Sequence, residues 1–269
     1  MNSSVEGAAI QRIQTAHRLK LAEFWGVGKG QRILEIGCGQ GDTTAVLAYL
    51  TGETGLVHGI DIASPDYGSP STLGEAAERL KQSPLGERIR IDFETDPSSP
   101  DVRFSDHSFD CVVLSHCSWY FQSAEQLADV FKRAREWGNK LLFAEWDARI
   151  AHPEQYPHLL AVLIQAQYEA WKKESISNVR TLFTPNQLRA LAEAAGWTVV
   201  AEDSVYSPQL QDGEWEVAYT LQQHRAELTA IERLPSRLTT LMEAEIELLD
   251  AAQRQHGIKP LSSYVFKAE

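Results

Sequence analysis

The stretch RILEIGCGQG, Arg32 to Gly41, joins a short branched apolar run to an acid and three glycines at alternate positions. Such a run reads as a buried strand. Gly37, Gly39 and Gly41 then fall at its carboxyl end, where a side chain would keep a ligand away from the main chain. Asp42 to Leu50 reads as a helix with Asp42 or Thr43 near its start, so unpaired N–H groups face whatever binds above the glycines. In an open parallel sheet, ligands bind in the crevice outside the carboxyl ends of the strands. The loop therefore predicts a nucleotide pocket. Its spacing is G-x-G-x-G rather than the G-x-G-x-x-G of a dinucleotide fold, and no Lys-Ser or Lys-Thr follows to grip a phosphate.

Working outward, the same alternation continues on both sides. Upstream, Ile10, Ile13, Ala16, Leu19, Leu21 and Phe24 recur at helical spacing, giving a helix over about 8–26. Downstream, strands are expected at 55–62, 88–94, 109–117 and 140–146, with helices at 75–82 and 124–137 between them. Strands rich in Val, Ile and Leu that alternate with helices imply a parallel sheet covered on both faces. Past residue 150 the rhythm changes: Ala151 to Glu174 reads as a helix, Thr184 to Asp203 as a capped helix and strand, 215–255 as a long helical stretch broken at Pro235, and LSSYVFKAE as a terminal strand. The expected architecture is α/β, a Rossmann-like doubly wound, mostly parallel seven-stranded sheet. It forms a single domain over 1–269, with helical lid insertions at about 150–180 and 208–255.

Composition narrows the function classes. The chain has 269 residues, 43% of them hydrophobic, and a formal charge of −12, which opposes the clustered Lys and Arg that phosphate backbones require. No nucleic-acid partner is expected. Cys38, Cys111 and Cys117 have no metal-type spacing and read as reduced thiols of a cytoplasmic chain. No secretory signal and no membrane-length apolar run is apparent, so a soluble protein, monomer or homodimer, is expected.

Taken together these residues resemble the class I S-adenosylmethionine-dependent methyltransferases, whose first motif is E/D-x-G-x-G-x-G; Glu35 to Gly41 matches it without a gap. The resemblance covers about 31–200. It implies that Glu35, Gly37, Cys38, Gly39 and Gly41 hold S-adenosylmethionine, with Asp61 on the ribose hydroxyls, Ile62 beside it, Thr95 and Asp96 near the adenine amine, and Ser115 at the end of the fourth strand. Carboxylates here suit a cofactor that carries hydroxyls, a sulfonium and an ammonium, whereas a pyrophosphate favours positive charge. Asp96, in TDPSSPD, also reads as ordinary turn chemistry.

Methyl transfer from a sulfonium is an in-line displacement, so holding the acceptor and excluding water supply much of the acceleration. A base matters only where the acceptor must lose a proton. His116, in SHCSWYF after the fourth strand, is the candidate base. Trp119, Tyr120, Trp146 and Tyr168 are candidates for an aromatic substrate wall. The first helix, over 8–26, is expected as an N-terminal lid, since in similar enzymes it folds over the cofactor; its His17, Arg18 and Lys20 read more simply as a solvated face, and Leu238, Leu241, Glu245, Leu248 and Leu249 as a stripe packed on the sheet or on a partner. His152, Tyr156, His158 and Trp171 are further candidates for a substrate cover. No metal set is expected: the spacing of Glu145, Asp147 and His152 carries little weight. The reading is methyl transfer to an O, N, S or C nucleophile of a small-molecule metabolite. Its rivals are a nicotinamide-dependent oxidoreductase and a protein that binds S-adenosylmethionine without transferring methyl.

Overall fold

The computed structural model describes residues 2–69, 71–173, 175 and 177–269. β1 (Arg32–Ile36), β2 (Leu56–Ile60), β3 (Ile89–Asp92), β4 (Cys111–Ser115), β5 (Leu141–Asp147), β6 (Val199–Val205) and β7 (Ser262–Ala268) form one seven-stranded sheet in the order β3-β2-β1-β4-β5-β7-β6. β7 runs antiparallel to both its neighbours, and the pairs among β1 to β5 are parallel. β1 lies between β2 and β4, so the connections leave it in opposite directions and open a crevice at its carboxyl end.

Successive strand residues feed opposite faces. Leu34, Val112, Leu114 and Phe143 pack against α4 (Ala124–Trp137) and α6 (Pro185–Ala194), while Ile33, Cys111, Val113 and Leu142 pack against α1 (Asn2–Trp25), α2 (Asp42–Thr51) and α3 (Leu73–Lys81). In α4, Leu127, Val130, Phe131, Ala134 and Trp137 recur at spacings of three and four and are all buried, each large one contributing roughly 1.5–3 kcal/mol. Side chains and backbone end these helices in different ways. Thr184 caps α6 by accepting from Gln187 N with Pro185 in the first turn, as expected, whereas α2 begins at Asp42 after Gly41 in a left-handed conformation with no side-chain cap.

A third apolar cluster stands apart from the sheet. Leu160, Ile164 and Tyr168 of α5 (Tyr156–Glu169) meet Val217 of α7 (Asp212–Thr229) and Met242 and Leu249 of α8 (Ser236–His256). In this helical cap α5 lies within the stretch 150–180, and α7 and α8 begin within 208–255; Glu174, the expected end of the helix read from Ala151, lies outside the described residues. The leucine stripe of α8 divides: Leu249 is buried among cap helices, but Leu241 and Leu248 are 49% and 56% exposed, so the helix packs on α5 and α7 rather than on the sheet. No helix among the described residues is long and apolar enough to cross a membrane.

Candidate active site

The glycine loop closes on the neighbouring strands. Gly37 N and Cys38 N both donate to Ile60 O, at 2.8 and 3.2 Å, and Gly39 N donates to Asp61 Oδ2 at 2.8 Å. The three glycines serve different ends. A Cβ on Gly37 would lie 2.7 Å from Cys117 Cβ, and one on Gly41 2.9 Å from Leu80, so these two are glycines because the fold fills the space. Gly39 alone, at φ +52°, has nothing within 4 Å of where a Cβ would stand. The expectation that all three leave room for a ligand thus narrows to one position.

Around that opening the structure gathers most of the expected residues. Asp61, at the end of β2, accepts from Gly39 N and from Ala63 N at 2.9 Å, which leaves each carboxylate oxygen a further lone pair. Thr95 N donates to Asp61 O at 2.9 Å, placing the segment after β3 beside it; Asp96 Oδ1 accepts from Ser98 N at 2.7 Å in a turn. Ile62 is 63% exposed next to Asp61, an unusual place for an isoleucine. Glu35, inside β1, is 2% exposed and accepts from Thr44 Oγ1 at 2.5 Å. Burial pushes its carboxyl up to about 8, because an isolated charge is poorly solvated there. Burial also raises the Cys38 and Cys117 thiols, which are unreactive at neutral pH in this setting.

A cavity of about 210 Å³ lies at the carboxyl ends of β4 and β5. His116, Trp119, Tyr120, Glu145 and Trp146 form its sheet side, Val162, Asp212 and Glu216 its cap side, and Gln14, His17 and Arg18 of α1 close it. The three aromatic residues nearest the strand ends thus meet at one wall. Tyr168, by contrast, is buried between the cap helices and does not line the cavity, nor do His152, Tyr156, His158 and Trp171. His158 is held elsewhere: its Nδ1 accepts from Leu261 N at 2.9 Å, its ring abuts Trp146, and burial lowers it to about 3.

One sequence expectation is corrected here. His17 is 3% exposed and borders the cavity, and Arg18 is half-buried, so only Lys20 of that trio is solvated. The helix is turned inward because its polar residues meet polar partners. Gln14 donates to Asp212 at 3.0 Å, and Arg18 donates to Gln14 and ion-pairs with Asp42 at 3.7 Å. Arg18 thereby touches both the start of α2, beside the glycine loop, and the cavity.

Glu145 has a structural explanation. Its Oε2 accepts from Ser118 N, Ser118 Oγ and Trp119 N, and its Oε1 from Trp146 N, so this buried carboxylate organises the loop after β4. Burial nevertheless raises its pKa. Asp212 and Glu216, also raised by burial, were absent from the sequence reading; they stand one turn apart on α7, with no local motif to mark them. Among the described residues no group of three or more His, Cys, Asp or Glu is arranged to hold a metal ion.

Comparison with known proteins supplies the family. A family model described as a methyltransferase domain matches residues 10–202. The crystal structure of a cyclopropane-fatty-acyl-phospholipid synthase-like protein from Lactobacillus casei superposes with a TM-score of 0.86 at 42% identity, covering 97% of this chain and 92% of that one. Methyltransferase phomM' of Diaporthe leptostromiformis is 30% identical over 77% of this chain; the chain spans 63% of that relative's length. Phosphoethanolamine N-methyltransferase 2 of Haemonchus contortus, solved with S-adenosyl-L-methionine, shares the fold at 18% identity and a TM-score of 0.54, over 93% of this chain and 51% of its own.

Proposed function

Because this chain belongs to the class I S-adenosylmethionine-dependent methyltransferases, we propose that it transfers a methyl group from S-adenosylmethionine to a small-molecule nucleophile held in the cavity under α5 and α7. The observation that carries the reading is a pair of spaces at the strand ends, the open position above Gly39 and the cavity at β4 and β5, with Arg18 lining the cavity and ion-paired to Asp42 beside the glycine loop.

The residues present suit the cofactor. Gly39 leaves the main chain bare and the N-terminus of α2 faces it, together with Gly37, Cys38 and Gly41. Asp61 keeps lone pairs free for the ribose hydroxyls, exposed Ile62 offers an apolar face to the adenine, and Thr95 and Asp96 border it. Glu35, a buried acid whose charge the fold does not compensate, suits an ammonium, and Ser115 closes the side toward the acceptor. When bound, the cofactor supplies an electrophilic methyl on sulfur.

The chain's own contribution is placement. Trp119, Tyr120 and Trp146 wall the acceptor and keep water from the line of attack, and the cap shuts the site from above. His116, 4.8 Å from Trp146 between ring centroids, is the candidate catalytic group because it borders the cavity at the strand end. A space of about 210 Å³ takes a metabolite rather than a polymer segment, in keeping with the acidic chain. We read sheet and cap as one catalytic unit acting in the cytoplasm without a nucleic-acid or membrane partner.

The test is release of S-adenosylhomocysteine from purified protein incubated with S-adenosylmethionine and a panel of amines, phenols, thiols, carboxylates and activated methylenes. Acceptor-dependent release is the expected result. Binding of NADH in place of S-adenosylmethionine, or cofactor binding with no release across the panel, would favour the two rival readings.

A further inference from the structure

Five contacts behind the acceptor end join into one hydrogen-bonded chain. Lys20 Nζ donates to Ser207 Oγ at 3.2 Å, Ser207 Oγ lies 3.0 Å from His17 Nδ1, and His17 Nε2 lies 3.0 Å from Ser263 Oγ. Ser263 Oγ is in turn 2.9 Å from His116 Nε2, and His116 Nδ1 is 3.2 Å from Ser115 Oγ. The chain starts at exposed Lys20, passes through buried Ser207, His17 and Ser263, reaches His116 in the cavity wall and ends at half-buried Ser115 beside it.

Counting hydrogens gives it a direction. An ammonium only donates, a hydroxyl has one hydrogen to give, and a neutral imidazole has one donor and one acceptor nitrogen. Burial keeps both imidazoles neutral, helped by the positive charges of Arg18 and Lys20 near His17 and of Arg18 near His116. Ser207 accepts from Lys20, so its own hydrogen is free for His17 Nδ1. His17 then carries its proton on Nε2 and gives it to Ser263, whose hydrogen goes to His116 Nε2. The proton of His116 is left on Nδ1, directed at Ser115. In the reverse order His17 and Lys20 both donate to Ser207, and the hydrogen of that buried serine has no acceptor among the described residues.

We propose that Lys20, Ser207, His17 and Ser263 are positioning residues that fix the tautomer of His116 with its proton on Nδ1, so that the imidazole meets the acceptor end as a hydrogen-bond donor through Ser115 and not as a free base. The backbone agrees: His116 sits at φ +52°, a left-handed conformation that non-glycine residues seldom adopt. An acceptor that suits this site attacks with a lone pair it already has, so no proton has to leave as the new bond forms. This inference rests on the cavity being the acceptor site, yet its test needs neither cofactor nor acceptor.

In protein labelled with ¹⁵N-histidine, with resonances assigned through His17→Gln and His116→Gln, NMR should find the proton of His17 on Nε2 and that of His116 on Nδ1. Lys20→Met, at an exposed position, should raise the Nε2-protonated share of His116 several-fold, and Lys20→Arg, which still donates, should restore the wild-type pattern. In Ser263→Ala the Lys20→Met effect on His116 should vanish. A wild-type His116 protonated on Nε2, or a tautomer ratio that Lys20→Met leaves unmoved, would overturn the proposal. Either result leaves the methyl-transfer reading standing, since that reading fails separately, by absence of cofactor binding.

Discussion

The proposed cofactor end and the proposed acceptor end are built from different materials. The first is largely main chain: a contiguous loop, 37–41, pinned by Gly39 N to one carboxylate at the end of the next strand. The second is side chains gathered from α1, β4, β5 and α7, with Gln14 and Asp212 bonded across 198 positions of sequence. A backbone site depends on local conformation and tolerates little change. A side-chain site depends on how the cap is carried over the sheet, and its chemistry can be altered without disturbing the strands beneath.

The glycines break this comparison most sharply if it is wrong. Gly37→Val puts a side chain into Cys117 at a left-handed position, and should lower stability by about 4 kcal/mol, read by denaturant unfolding. A Cβ at Gly39 has no protein atom within 4 Å, so Gly39→Val should fold with a loss of only about 1–3 kcal/mol from strain, yet bind S-adenosylmethionine at least about 100-fold more weakly by calorimetry. Equal behaviour of the two variants would mean the opening above Gly39 is not a ligand space.

The cap can be loosened independently. Leu249→Ala, at a fully buried cap position, should cost about 2–4 kcal/mol of stability while cofactor affinity stays within about twofold. Leu248→Ala, on the exposed side of the same helix, should change stability by less than about 0.5 kcal/mol. If Leu249→Ala abolished cofactor binding, the two ends would be one cooperative unit.

Two smaller effects sharpen the cofactor end. Asp61→Ala removes both the pin on Gly39 and the acceptor proposed for the ribose hydroxyls, and should weaken binding by about 1–3 kcal/mol. Glu35 adds a pH dependence. Its carboxyl holds a proton in the ligand-free fold below about 8, and a cationic ammonium beside it requires the charged form, so binding releases a proton. Affinity should rise about tenfold per pH unit from pH 6 toward 8 and then level off, an effect Glu35→Gln abolishes. The same shift acts on the ligand-free protein: since the unfolded chain gives up this proton near 4.5, Glu35 contributes a stability that falls as pH rises from about 4.5 to about 8.

What was legible in the sequence follows the same division. Residues 35–41 and 61 could be placed because strand, turn and helix start are local patterns, and the loop's chemistry lies in its backbone. The expected seven-stranded sheet was readable for a similar reason, from short apolar runs between helices. His17 was not: its neighbours Arg18 and Lys20 suggested a wet face, and its burial comes from Ser207 and Ser263, residues about 190 and 246 positions away. Asp212 and Glu216 reach the cavity only because α7 folds back over β4 and β5. The packing roles of Gly37 and Gly41 depend on Cys117 and Leu80, which no local pattern connects to them.

The open position above Gly39 is tested most directly by calorimetric titration of S-adenosylmethionine and, separately, NADH into the wild-type protein and Gly39→Val. Saturable one-to-one binding of S-adenosylmethionine to the wild type, binding at least about 100-fold weaker to the folded variant, and none of NADH to either are expected. Unchanged S-adenosylmethionine affinity in Gly39→Val, or NADH binding that the variant loses, would contradict the reading.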